Sequence, residues 1–135
     1  MTTIVWDGKT LAADRQMAGY MTTCKIFPIP NGYLAGAGTM HQLIEVAAWM
    51  QEGKDKPALP ESEDSEFIVI RGDEAFWLTW PYLREVRIRE PFAVIGSGAQ
   101  FAIGALAMGS DAKTAVKIAA QFDPETGGGI DSVTP

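Results

Sequence analysis

Short apolar runs separated by turn residues occupy the N-terminal part of the chain. Thr3–Trp6 reads as a strand, Asp7-Gly8 as a strong hairpin turn, and residues 9–13 as the returning strand. Residues 17–22 fit either a loop or a short edge strand, and residues 24–30 form an extended segment interrupted by Pro28 and Pro30. Asn31-Gly32 is a second turn signal, and residues 33–37 form a buried strand running into Gly38. The period then changes. From Thr39 onward Leu43, Ile44, Ala47, Ala48 and Met50 recur at helical spacing, with Gly53 as the natural stop. Residues 54–66 hold two prolines and five acidic residues and read as an exposed connector.

The second half repeats this segregation. Residues 67–70 and 75–79 are strands joined by a turn through Gly72, and Val86–Ile88 and residues 92–95 are shorter strands. Gly96-Ser97-Gly98 opens a helix over residues 99–108, with Ser97 a candidate cap. Ser110-Asp111 caps a third helix, whose apolar face is Ala115, Val116, Ile118 and Ala119. A Gly-rich turn over residues 123–129 leads into a last strand, Ile130–Val133. Strands, helix, strands, two helices and strand predict a layered α+β domain, not an alternating parallel one.

Composition narrows the function. A chain of 135 residues fits one domain, residues 1–135, with enough length for a real core. A net charge of −6 argues against a nucleic-acid partner, and Arg84, Arg87 and Arg89 are interrupted by other residues and flanked by Glu85 and Glu90. Cys24 is the only cysteine, so no intrachain disulfide or cysteine-based metal site is expected. No basic segment followed by an apolar stretch marks a secretory signal, and no run is long enough to span a bilayer. The expectation is a cytoplasmic protein with no membrane partner, no metal and no cofactor.

Few residues stand out chemically. Gly96-Ser97-Gly98 lacks the third glycine of a dinucleotide fingerprint, because Phe101 stands there. His41 reads as a surface residue, and Cys24 as a small packed hydrophobe. Lys25 lies in an otherwise apolar or neutral stretch, where it either loses charge or needs a carboxylate; Asp14, ending the neighbouring strand, is the obvious partner. Arg15 is a second cation beside the same carboxylate. Thr2, if Met1 is removed, carries a hydroxyl and a free α-amine on one residue, a nucleophile with a base built in.

Taken in order, these positions resemble the proteasome β-subunit family, most closely its HslV-type member, a family of N-terminal-nucleophile hydrolases. Thr2-Thr3-Ile4-Val5 is similar to the mature N-terminus, and Leu11-Ala12-Ala13-Asp14-Arg15-Gln16 to an apolar run ending in a required Asp. Lys25 falls where the family has a Lys. Leu34-Ala35-Gly36-Ala37-Gly38-Thr39 resembles the segment supplying the oxyanion hole, and Ala93-Val94-Ile95-Gly96-Ser97-Gly98 the segment with a supporting Ser. Asp123-Pro124-Glu125-Thr126-Gly127-Gly128 is similar to Asp-x-x-Ser-Gly-Gly, with Thr126 replacing the Ser. The chain is shorter than the family norm between Asp14 and Lys25, in the middle and at the C-terminus.

The resemblance implies a four-layer αββα sandwich and hydrolysis of a peptide or small amide substrate. It implies Thr2 as nucleophile, Lys25 and Asp14 as its electrostatic support, backbone near Gly38 as oxyanion donor, and Ser97, Asp123 and Thr126 as the network holding amine and water. Met17, Thr23, Phe27, Gly36 and Met40 are the implied substrate pocket. A homo-oligomer and an ATPase partner are further implications. The alternative expectation is a non-catalytic assembly or scaffold protein of the same fold with Met1 retained.

Overall fold

In the computed structural model, which describes residues 2–53, 56–57 and 65–135, the predicted hairpins form where the turn residues place them. β1 (Thr3–Trp6) and β2 (Leu11–Asp14) pair antiparallel with Ile4 opposite Ala13 and Trp6 opposite Leu11. Gly8 adopts φ +94, which Gly permits without a Cβ penalty. Asp7 closes the turn by accepting from Lys9 N and Thr10 N through Oδ1. Its Oδ2 accepts from Ala112 N at 2.8 Å and so ties the hairpin to the start of the last helix.

The remaining strands are β3 (Gln16–Ala18), β4 (Met21–Thr22), β5 (Ile26–Ile29), β6 (Gly32–Ala37), β7 (Glu66–Arg71), β8 (Glu74–Thr79), β9 (Val86–Ile88), β10 (Ala93–Gly96) and β11 (Ile130–Val133). The helices are α1 (Met40–Glu52), α2 (Ala99–Ala107) and α3 (Ala112–Phe122). One sheet has the order β10-β1-β2-β11 and the other β5-β6-β7-β8-β9, while β3 and β4 form a separate small ribbon. All these pairings are antiparallel. Most of the predicted connector over residues 54–66 lies outside the described residues.

Three apolar clusters hold these elements together. Ile4, Trp6, Leu11 and Ile95 of the first sheet meet Ile26, Ala35, Ile68 and Ile70 of the second. Leu34, Phe67, Val69 and Leu78, on the other face of the second sheet, pack on Leu43, Val46 and Ala47 of α1. Val5 and Ala12, on the other face of the first sheet, pack on Ala102 and Leu106 of α2 and on Ala115, Val116 and Ala119 of α3. Both faces of β1 and β2 are therefore covered, which is why these strands read as unbroken apolar runs. Truncating the fully buried Phe67 to Ala would cost about 3–5 kcal/mol.

The structure corrects some local expectations. Ile44 points outward at 49% exposed, while Val46 and the polar Gln42 take places on the buried side of α1. Gly98, not Ser97, is the N-cap residue of α2. Gly53 ends α1 in the left-handed conformation and Asp111 caps α3 through Thr114 N at 2.8 Å, both as the sequence suggests. Residues 17–22 resolve into the β3–β4 ribbon. Among the described residues, no helix is long and apolar enough to cross a membrane.

Candidate active site

Strand alternation decides where Thr2 and Thr3 point. Ile4 and Trp6 face the second sheet, and Val5 faces the helices. Thr2 continues the first set and Thr3 the second. The Thr2 hydroxyl accordingly meets Lys25 and Asp14: Lys25 Nζ donates to Thr2 Oγ1 and, at 2.9 Å, to Asp14 Oδ1. Thr2 Oγ1 in turn donates to Asp14 Oδ1 at 2.7 Å. Asp14 also accepts from Thr3 N at 3.0 Å and, through Oδ2, from Gly127 N at 3.0 Å.

All three side chains are inside the protein. Asp14 is 0% exposed, Thr2 2% and Lys25 5%. Burial pulls the Lys25 ammonium below its usual value, and the hydrogen bond to Asp14 and its negative charge only partly restore it. Arg15 does not compete for Asp14. Its guanidinium turns outward to Asp131 Oδ1 at 2.8 Å and to the Ile130 carbonyl at 3.1 Å.

A second network holds the Thr2 backbone. Thr2 N donates to Ser97 Oγ at 3.1 Å, and Ser97 Oγ donates to Asp123 Oδ2 at 2.6 Å. Thr126 Oγ1 donates to the same oxygen at 2.6 Å. Because that proton is committed to the carboxylate, the 2.8 Å contact between Thr3 Oγ1 and Thr126 Oγ1 is donated by Thr3. Burial raises the Asp123 pKa, but the hydrogen bonds from Ser97, Thr126 and Glu125 N outweigh it and hold the carboxyl below its usual range. Thr126, the departure from Ser in the motif, keeps the hydroxyl this network uses.

Glycines let these segments approach. A Cβ on Gly96 would lie 2.1 Å from the Thr2 carbonyl oxygen, and one on Gly98 would lie 2.0 Å from Thr3 Oγ1. The Gly96-Ser97-Gly98 spacing thus serves close packing against the N-terminal strand. Gly38 adopts φ +127 between β6 and α1.

A small cavity of about 90 Å³ opens beside Thr2 and Lys25; Met17, Gly36 and Met40 of the expected pocket line it, together with Gly38. Gln16, Thr39 and Leu43 also line it. Two anticipated residues, Thr23 and Phe27, are not among those that line it, although Phe27 packs in the same cluster as the lining residues Met40 and Leu43. Phe27 alternates with Ile26 and packs on the α1 side of the second sheet. Thr23 donates its backbone N–H to the Arg15 carbonyl at 2.8 Å. His41 is exposed, and Cys24 is exposed with its thiol directed to the Ile26 carbonyl. Thr3, Gln42 and Ser65 are buried polar residues that sequence reasoning did not single out. For Thr3 the signal was available: alternation from Val5 aims it at the helix layer that carries Thr126.

The fold that carries this arrangement is similar to that of solved BPH and HslV structures, and the likeness spans almost the whole chain. Thiobacillus denitrificans BPH matches with a TM-score of 0.73 and 20% identity over 99% of this chain and 96% of that one. BPH in complex with epoxomicin matches at 0.71 and 18%, over 99% and 97%. Eukaryotic HslV from Trypanosoma brucei matches at 0.67 and 20%, over 98% and 97%. No family model and no curated protein matches the sequence.

Proposed function

We propose that this chain is a threonine-type N-terminal-nucleophile peptidase or amidohydrolase whose nucleophile is released by cleavage of the Met1–Thr2 peptide bond. The observation that carries the reading is the convergence of Thr2 Oγ1, Lys25 Nζ and Asp14 Oδ1 in one buried cluster, with Thr2 N held separately by Ser97. A structural threonine at a strand start needs neither a buried lysine against its hydroxyl nor a relay of hydroxyls behind its nitrogen. The HslV-like fold supports the same reading.

In this mechanism the freed α-amine of Thr2, with a reference pKa of about 7.7–8.0, takes the hydroxyl proton as Oγ1 attacks the substrate carbonyl. Lys25, anchored by Asp14, supplies positive charge beside the developing alkoxide. Backbone N–H at Gly38 receives the carbonyl oxygen as it becomes an oxyanion. Collapse breaks the C–N bond, and the leaving amine carries away the proton that the α-amine had accepted. A water then attacks the resulting ester of Thr2, giving up its proton to the α-amine. That proton passes to Oγ1 as the acid product departs, restoring the enzyme. Ser97, Asp123 and Thr126 fix the amine throughout.

The cavity beside Thr2 is lined by Met17, Met40 and Leu43 with two glycines, so the substrate class is peptides or amides with a small apolar residue before the cut. We read residues 1–135 as a single domain with the three apolar clusters separating the layers of an αββα sandwich. We further assign it to the cytoplasm as a homo-oligomer served by an ATPase partner, on the likeness to HslV. The test is turnover of short apolar peptide amides by protein starting at Thr2. Activity lost in both Thr2→Ala and Lys25→Ala, with the fold retained, is expected. Normal turnover in Thr2→Ala ends the hydrolase reading, and retained Met1 with no turnover favours the scaffold.

A further inference from the structure

We infer that Ser65, its hydroxyl held by Gln42, is a positioning residue for the oxyanion donor at Gly38, an assignment that rests on the hydrolase reading above. Ser65 precedes β7 and is far in sequence from the β6–α1 loop, yet it is 2% exposed and sits directly against that loop. Its Oγ accepts from Thr39 N at 3.1 Å and donates to Gln42 Oε1. Its own carbonyl accepts from Trp80 N at 3.0 Å, just past the end of β8. The residue therefore bridges the second sheet and the first turn of α1.

The packing is as specific as the hydrogen bonding. A Cβ on Gly38 would lie 2.4 Å from Ser65 Oγ and 2.9 Å from Ser65 Cα. Gly38 is thus required twice, once by φ +127 and once by the Ser65 side chain against its Cα. The peptide units of Gly38 and Thr39 border the cavity that holds Thr2 and Lys25. An oxyanion donor acts by pre-set direction, and backbone N–H groups at a glycine are otherwise easily turned. Ser65 pins the Gly38–Thr39 peptide through Thr39 N and packs against Gly38, while Gln42 Oε1 holds the Ser65 hydroxyl in place; together these set the orientation of the neighbouring Gly38 N–H. Gln42 is a polar residue on the buried side of α1, 6% exposed, and this is the purpose the geometry gives it.

The test uses protein beginning at Thr2, with Ser65→Ala and the near-isosteric Gln42→Met as independent variants. A peptide aldehyde, whose adduct on Thr2 carries an oxyanion, is compared with the matching peptide alcohol, which binds without one. Ser65→Ala should weaken the aldehyde by about 10–100-fold and lower kcat in parallel, a part of the loss from deleting one donor outright. The alcohol affinity should stay within about twofold. Gln42→Met should move the same quantities in the same direction, less far. Ser65→Thr, which keeps the hydroxyl, should recover most of the aldehyde affinity. Amide hydrogen exchange over residues 36–42 should rise in Ser65→Ala while the strand amides stay protected.

Equal shifts for aldehyde and alcohol, or no shift in folded Ser65→Ala, overturn the positioning role. A wild-type protein that neither cleaves amides nor forms the aldehyde adduct overturns the hydrolase reading instead. Hydrogen exchange still decides the clamp in that case, and unchanged exchange over residues 36–42 overturns it as well.

Discussion

Replacing Lys25 by methionine keeps most of the side-chain volume and removes the one cation, among the described residues, that touches both Thr2 Oγ1 and Asp14. Asp14 is 0% exposed, so it cannot turn to water once the ammonium is gone. Stripping one partner from a buried ion pair costs about 3–5 kcal/mol. Here Asp14 keeps donors from Thr2 Oγ1, Thr3 N and Gly127 N. Burial of the lysine was itself unfavourable, as its lowered pKa shows. Both effects soften the loss, to about 2–3 kcal/mol, or a fall in Tm of about 8–12 °C for a domain of this size.

The sign of the pH effect follows from the same group. The folded pKa of Lys25 lies below its unfolded value of 10.5. Between the two, the unfolded chain binds more protons, so this group makes stability rise with pH through that window. Urea unfolding of parent and Lys25→Met from neutral to alkaline pH measures both quantities. The parent should gain stability on the alkaline side relative to the variant, and the variant should be catalytically dead by about 10³-fold or more. A variant as stable as the parent at neutral pH, or active within about tenfold of it, refutes the reasoning.

Ser97→Ala removes the acceptor of Thr2 N and a donor to Asp123; kcat should fall about 10–100-fold with KM nearly constant, and urea titration should show a cost of about 1–2 kcal/mol. Asp123 contributes stability that is fully present above its unfolded pKa of 3.8 and is lost as pH falls through its lower folded value. Acid titration of Asp123→Asn should therefore show a shallower decline than the parent below about pH 4, and an identical acid limb defeats this assignment. Gly36→Ala places a Cβ 2.7 Å from Leu43 Cδ1 and 2.8 Å from Phe67 Cδ1, both in tight surroundings. Thermal unfolding should report about 1–3 kcal/mol of overpacking, and steady-state kinetics a higher KM for the bulkier apolar substrates.

Local chemistry was the legible part of the sequence. Asp7-Gly8 and Asn31-Gly32 turn as their residue types demand, Asn31 with φ 64. Asp111 and Gly53 mark helix ends by side-chain capping and a left-handed residue, both local events. Lys25 and Asp14 could be paired from sequence because a cation in an apolar stretch needs an anion, and β2 supplied the nearest. Arg15 was ambiguous because its true partner, Asp131, is brought alongside only by the pairing of β11 with β2. The buried side of α1 was misjudged for the same reason. Gln42 is buried where Ile44 is exposed, and Ser65, just before β7, donates to its amide oxygen. Phe27 alternates with Ile26 along β5 and so packs on the α1 side, a placement set by the pairing of β5 with β6 and not by local sequence. Residues whose role depends on long-range register left no local trace.

The central claim is that Thr2 is a nucleophile with its own amine as base. Its most direct test is a mass spectrum of the purified protein before and after exposure to a carbonyl-type peptide electrophile. The expected result is a chain beginning at Thr2 that gains one adduct, mapped to the N-terminal peptide and absent in Thr2→Ala. A chain that keeps Met1 throughout and gains no adduct, or an adduct that persists in Thr2→Ala, contradicts it.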